Sequence, residues 1–151
     1  MILFRVYLGV SSSTLQPEKI TRRLRVSPDS FKRLGERLPP GGPDAPLRGH
    51  TDWVKEVFEV TDSARFEEVG RVVVGWGMPL AEELGRLAVD DADVSLNIVQ
   101  KITDIEDPLE KGVWLSADLV RWLGVAKAAI SIDQYVLHEC FDGEVRRPSK
   151  T

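Results

Sequence analysis

The sequence is poor in the features that usually narrow a protein's chemistry. Among 151 residues there is one cysteine, Cys140, so no internal disulfide can form. A single thiol fits a reducing compartment, and a cytoplasmic setting is expected. Histidine is nearly as scarce, with only His50 and His138. No apolar run reaches the roughly 18–20 residues of a membrane span, so no membrane partner is expected. The apolar opening MILFRVYLGV lacks a basic leading region and a cleavage site, and is not read as a signal peptide. No phosphate-binding glycine loop, nucleophile elbow or paired-histidine zinc helix occurs. Repeats with a period of about 20–50 residues are missing too. Disorder is excluded from the other side: 42% of residues are hydrophobic and the net charge is only -4.

What is present is an uneven charge layout. Residues 1–50 carry nine Lys/Arg against four acids, whereas residues 51–110 carry five against fifteen. The near-neutral total hides a basic first third and an acidic middle. Such asymmetry bears on partners and association rates rather than on fold. The plainer reading is a solvated surface on which the opposite charges meet once the chain is folded.

Hydrophobic periodicity supplies the elements. Ile2, Phe4, Val6, Leu8 and Val10 alternate with Leu3, Arg5 and Tyr7, the mark of a strand with one buried face. A helix starts near Pro17, with Ile20 and Leu24 on its apolar edge, and Ser27-Pro28-Asp29 ends it. Residues 38–49 hold four of the nine prolines and three of the twelve glycines and predict a mobile surface loop. Trp53–Val60 reads as a strand. Phe66, Val69, Val73, Trp76, Leu80, Leu84 and Leu87 then recur at helical spacing, with Pro79 predicting a kink or two helices end to end. Val94–Ile102 alternates as a strand, and Val113–Leu115 is a short one. A helix capped by Ser116 follows, with Leu119, Trp122 and Leu123 inward and Gly124 as its stop. Ala129–Leu137 is the last strand. Residues 138–151 lack periodicity and read as a flexible C-terminal tail after a single domain over 1–137.

One-sided strands and few parallel crossovers predict an α+β fold: a mixed, largely antiparallel sheet with helices on one face. A ferredoxin-like arrangement of the first major elements is expected. The phrases YLGVSSSTLQPEKITRRL, Gly35-Glu36, ADVSLNIV and WLSADLVRWLGVAKAAISIDQYVL resemble the bacterial domain-of-unknown-function family numbered 4279 over residues 3–137. The break at Gly75–Pro79 and the Pro/Gly loop depart from that family's more regular pattern. The resemblance implies a single domain and transfers no site residues.

Candidate sites are few. Arg5 and Tyr7 on the polar face of the first strand and Asp133 and Tyr135 on that of the last are expected to line a cleft on the open side of the sheet. Trp53 and Trp114 lie at strand starts beside loops, where exposed tryptophans would anchor a partner; buried packing is the simpler role. Asp90, Asp91 and Asp93 stand for the acidic middle as a steering surface. His138, Cys140 and Asp142 alternate as a metal or nucleophile set would, but a closed zinc site needs four ligands, and a polar tail is the simpler reading. The acids Asp104, Glu106, Asp107 and Glu110 lack the glycine-punctuated order of a calcium loop. The basic residues between Lys19 and Arg37 are interleaved with only Phe31, which argues against nucleic acid.

No nucleophile, base and orienter stand at workable spacing. The expectation is a non-enzymatic module that needs no cofactor or metal and binds another protein. One form would be an immunity-type inhibitor of a basic toxin, guided by the acidic middle. The alternative is a small-ligand binder or enzyme using the polar sheet face. Self-association into a homo-oligomer stays open.

Overall fold

The computed structural model describes residues 2–61, 65–104, 106 and 112–137. Five strands and four helices follow one another as β1 (Phe4–Ser12), α1 (Pro17–Leu24), β2 (Ser30–Lys32), β3 (Thr51–Val60), α2 (Phe66–Gly75), α3 (Met78–Asp90), β4 (Asp93–Ile102), α4 (Ala117–Ala126) and β5 (Ala129–Val136). The sheet order is β2-β3-β1-β4-β5. β1 lies antiparallel to both β3 and β4, β2 antiparallel to β3, and β5 parallel to β4. The first four strands with their intervening helices thus form a ferredoxin-like βαββαβ unit, to which α4 and β5 add one parallel crossover. The α+β class is as expected.

Strand alternation decides which side is covered. Phe4, Val6, Leu8 and Val10 of β1 join Val94, Leu96 and Ile98 of β4 in one core, closed by Ile20, Leu24, Val69, Val73, Leu84, Leu87, Leu119 and Trp122 of the four helices. All helices of the described residues therefore lie on one face, and among those residues the other face is bare. A bulge breaks the β1–β3 register: Val6 faces Phe58 while Tyr7 faces Glu56, so Val57 is the extra residue. No helix of the described residues is long and apolar enough to cross a membrane.

Several expectations change. The three-residue β2 has no alternation to betray it. Of the two expectations at Pro79, two helices end to end is the one met: the break falls at Gly77, with φ of 93°, and Pro79 lies in the first turn of α3. A first-turn proline removes an N–H that would have had no helical partner. Trp122 fixes the break by donating its indole N–H to the Gly77 carbonyl at 3.0 Å. Val113–Leu115 forms no strand. Gly124 lies inside α4, which runs to Ala126 and is capped by Lys127 in the left-handed region, φ 53°. The Pro/Gly segment is laced by main-chain bonds, Leu38 N–H to Pro46 O at 2.8 Å and Arg48 N–H to Glu36 O at 2.7 Å, with Arg37 donating to the Pro43 and Ala45 carbonyls.

Candidate functional site

On the bare face a groove of about 470 Å³ runs across β2, β3, β1 and β4. Its side chains are the odd-numbered residues of β1, which alternation turns away from the helices: Arg5, Tyr7, Gly9 and Ser11. Lys32, Asp52, Asp93, Ser95 and Asn97 complete the walls. At one end Arg5 donates from Nε to Glu56 Oε2 at 3.2 Å, and its Nη2 reaches Oε1 of the same carboxylate. Its guanidinium also lies 4.3 Å from the centre of the Tyr7 ring. This bidentate, stacked arrangement fixes the planar cation. The Glu56 hydrogen bond holds the Arg5 pKa above its ordinary value, against the pull of partial burial. The bulge at Val57 matters here. Arg5 lies opposite Glu59 in register, but the guanidinium turns to Glu56, the residue opposite Tyr7.

In the middle of the groove Gly9 serves by having no side chain. A Cβ there would sit 3.2 Å from Asn97 Nδ2 and 3.3 Å from Ser95 Oγ. The Asn97 amide instead lies against β1 and donates to Ser95 Oγ at 2.9 Å. The groove thus offers a cation, carboxylates, hydroxyls and an amide, all at fixed places on strands. Among the described residues the groove sets no nucleophile beside a base.

The sequence-derived residues scatter around this groove. Asp133 and Tyr135 share the bare face with Arg5 and Tyr7: Arg5, Val99 and Asp133 lie in one row, as do Tyr7, Asn97 and Ser131. Two strand spacings, about 10 Å, separate Arg5 from Asp133, and β4 stands between them. The expected Arg5–Asp133 grouping gives way to Arg5–Glu56. Trp53 is fully buried, with its indole N–H donated to Thr21 Oγ1 at 3.1 Å, so it packs the core and presents no surface anchor. Trp114 is exposed and borders a separate hollow with Phe66, Glu67 and Glu68.

The acidic middle is partly answered by the basic first third. Arg5 pairs with Glu56, Arg23 with Asp90 at 3.6 Å, and Arg48 with Asp52 at 3.9 Å. These are surface pairs, each contributing about 0–1 kcal/mol, but together they dilute the acidic surface. Asp91 and Asp93 border a further hollow with His50 and Ser11–Thr14, where the Ser12 hydroxyl donates to the Asp91 carbonyl at 2.8 Å. Among the described residues no group of three His, Cys, Asp or Glu is placed to hold a metal ion. His138, Cys140 and Asp142 lie outside the described residues, as do Asp107 and Glu110.

Glu56, Gly9, Lys32 and Asn97 were not singled out from sequence. Glu56 joins Arg5 through a bulge, and Lys32 through a strand without periodicity, so neither leaves a readable signal. Gly9 and Asn97 have one: both fall on the polar side of alternating strands.

The model of the domain of unknown function DUF4279 matches residues 2–137, all the described elements included. The chain belongs to the DUF4279 family. No curated protein and no solved structure matches it. Membership in DUF4279 assigns no activity.

Proposed function

We propose that this DUF4279 protein is a non-enzymatic binding module that takes a partner polypeptide on the bare face of its sheet. The observation that carries the reading is the groove over Arg5, Tyr7, Gly9 and Asn97, where polar groups of both signs are held on strands without a reactive pair. Rigid strands present such groups at a low ordering cost, which favours specific recognition. An inhibitor of a basic enzyme is one form of this reading. The carboxylates of Asp91 and Asp93, which make no ion pair with described residues, would supply its steering charge.

The test is affinity capture with the full-length chain. A polypeptide partner bound by the wild type, and lost when Tyr7→Ala is combined with Lys32→Glu, supports the reading. Retention of that partner by the double variant would refute it. Neutralising Asp90, Asp91 and Asp93 should slow association and flatten its salt dependence if the steering form holds; unchanged rates at low salt would remove that form alone.

A small-ligand reading is favoured by one observation, the groove's volume of about 470 Å³. Ligand sites commonly occupy about 300–1,000 Å³. Saturable thermal stabilisation by a small molecule, lost in Tyr7→Ala, would establish it.

A further inference from the structure

All eight residues of β5 are exposed, as are the three of the short β2, whereas β1, β3 and β4 each bury part of one face. The β5 row on the helix side, Ile130, Ile132 and Val136, continues the buried row Leu96, Ile98 and Ile102 of β4. Yet those side chains are 41%, 44% and 46% exposed; α4 packs on α2 and α3, and no helix of the described residues packs closely on β5. The strand's outer main-chain groups have no strand beside them among the described residues. Edge strands usually carry lysine, proline or a bulge, or are very short, so that they do not pair with other chains. β5 runs eight residues with no proline, glycine, lysine or arginine, and with one charge, Asp133. Its sequence thus carries few of the usual guards against pairing with another strand.

We propose that the occupant is a second copy of this chain, with the two β5 strands paired antiparallel about a two-fold axis at Ile132 so that two sheets become one of ten strands. Self-complementarity selects this register. Directly opposed residues must lie on one face, so the axis passes through a residue rather than between two. With the axis at Ile132, each Ile132 meets its twin, Ser131 meets Asp133 of the second copy, and Ala129 meets Tyr135 of the second copy. The lone carboxylate faces a hydroxyl donor, and the largest ring faces the smallest side chain. An axis at Asp133 would set the two carboxylates opposite each other, a repulsive cross-strand pair. The same patch on both copies is the form that a closed dimer requires. This inference stands apart from the bare-face reading, since the two surfaces share no residue. Pairing would place the two grooves on one continuous face.

The test is the mass of the full chain in solution by sedimentation over a wide concentration series. The wild type is expected to reach twice 16.9 kDa, and Ile132→Lys to remain at one chain mass with an unchanged circular dichroism spectrum. In a Cys140→Ala background, Ile132→Cys should cross-link to a dimer under mild oxidation, while Asp133→Cys should not. This second arm leaves β5 apolar and covers the case in which the lysine disturbs folding. A monomer at every concentration overturns the proposal. If its β5 amides exchange slowly, residues 138–151 of the same chain cover the edge; if they exchange fast, nothing does. A dimer untouched by Ile132→Lys and not cross-linked through position 132 overturns it as well.

Discussion

At one edge of the sheet β2 offers three residues, Ser30–Lys32, one of them a lysine, and the chain on either side of it is tied inward. Asp29 donates its N–H to the Val54 carbonyl at 2.8 Å, and Leu34 donates to Thr51 Oγ1 at 3.2 Å. At the other edge β5 runs eight residues, with no helix of the described residues packed closely on it. Both flank the same antiparallel centre. The difference lies in what backs each strand. Next to β2, β3 is pinned by Trp53, whose ring is buried and whose N–H is satisfied by Thr21. Next to β5, the helix that made the crossover has gone to α3. An edge can thus be made safe by shortness and charge, or be left long and apolar when pairing is its purpose.

The largest expected effect tests the pinned side. Trp53→Ala should cost about 3–5 kcal/mol in urea unfolding, as for a large buried aromatic. Tyr135→Ala on β5 should stay within about 0.5 kcal/mol in dilute solution, as for an exposed site. The neighbours Ile98 and Ile132, paired in register, sharpen the contrast. Ile98→Ala should cost about 2–5 kcal/mol. Ile132→Ala in dilute solution should cost about 1 kcal/mol, since much of that side chain already meets water. Equal losses would mean that β5 is covered as β4 is.

The next effect concerns why α4 leaves β5 bare. A Cβ at Gly85 of α3 would come within 2.4 Å of the Val125 carbonyl oxygen of α4. The two helices approach backbone to backbone there, and Gly85→Ala should cost about 1–3 kcal/mol by overpacking. A neutral Gly85→Ala would show that α4 is not held tightly against α3.

The smallest effect belongs to the guarded edge. Hydrogen bonds from Arg33, just beyond β2, pull the Glu18 carboxyl down to about 2 from an ordinary 4.5. A folded-state value below the unfolded one gives stability that is present above about pH 4.5 and lost as pH falls toward 2. The pair is solvent-exposed, so Glu18→Gln should lower the neutral-pH Tm only slightly and flatten its fall over that window. An unchanged acid slope would remove the Arg33–Glu18 contact from the account.

Much of this architecture is legible in the sequence where periodicity carries it. The alternation Phe4, Val6, Leu8 and Val10 marks β1 and its buried face, and the steps from Phe66 to Leu87 mark the helices α2 and α3 over the sheet. Legibility fails where tertiary contacts decide. Pro79 allows either a kink or two helices end to end, and the positive φ of Gly77 decides for the second by making it a first-turn residue. Ile130, Ile132 and Val136 alternate as a buried row would and yet are exposed, because the pattern records which face a side chain is on, not whether a helix covers it. The groove is half readable. Arg5 and Tyr7 follow from alternation, while Glu56 is reached only through the bulge at Val57. The charge totals raise the meeting of opposite charges as the plainer reading, but only the fold shows which pairs form: Arg5 with Glu56, Arg23 with Asp90 and Arg48 with Asp52.

Amide hydrogen exchange of the full chain at several concentrations tests the contrast between the edges most directly. Protection of β5, from Ala129 to Val136, should rise with concentration, while that of β1 and β4 stays high and that of β2 stays constant; Ile132→Lys should abolish the rise. Protection of β5 that does not change with concentration would contradict the account of this edge as one built to receive a second copy.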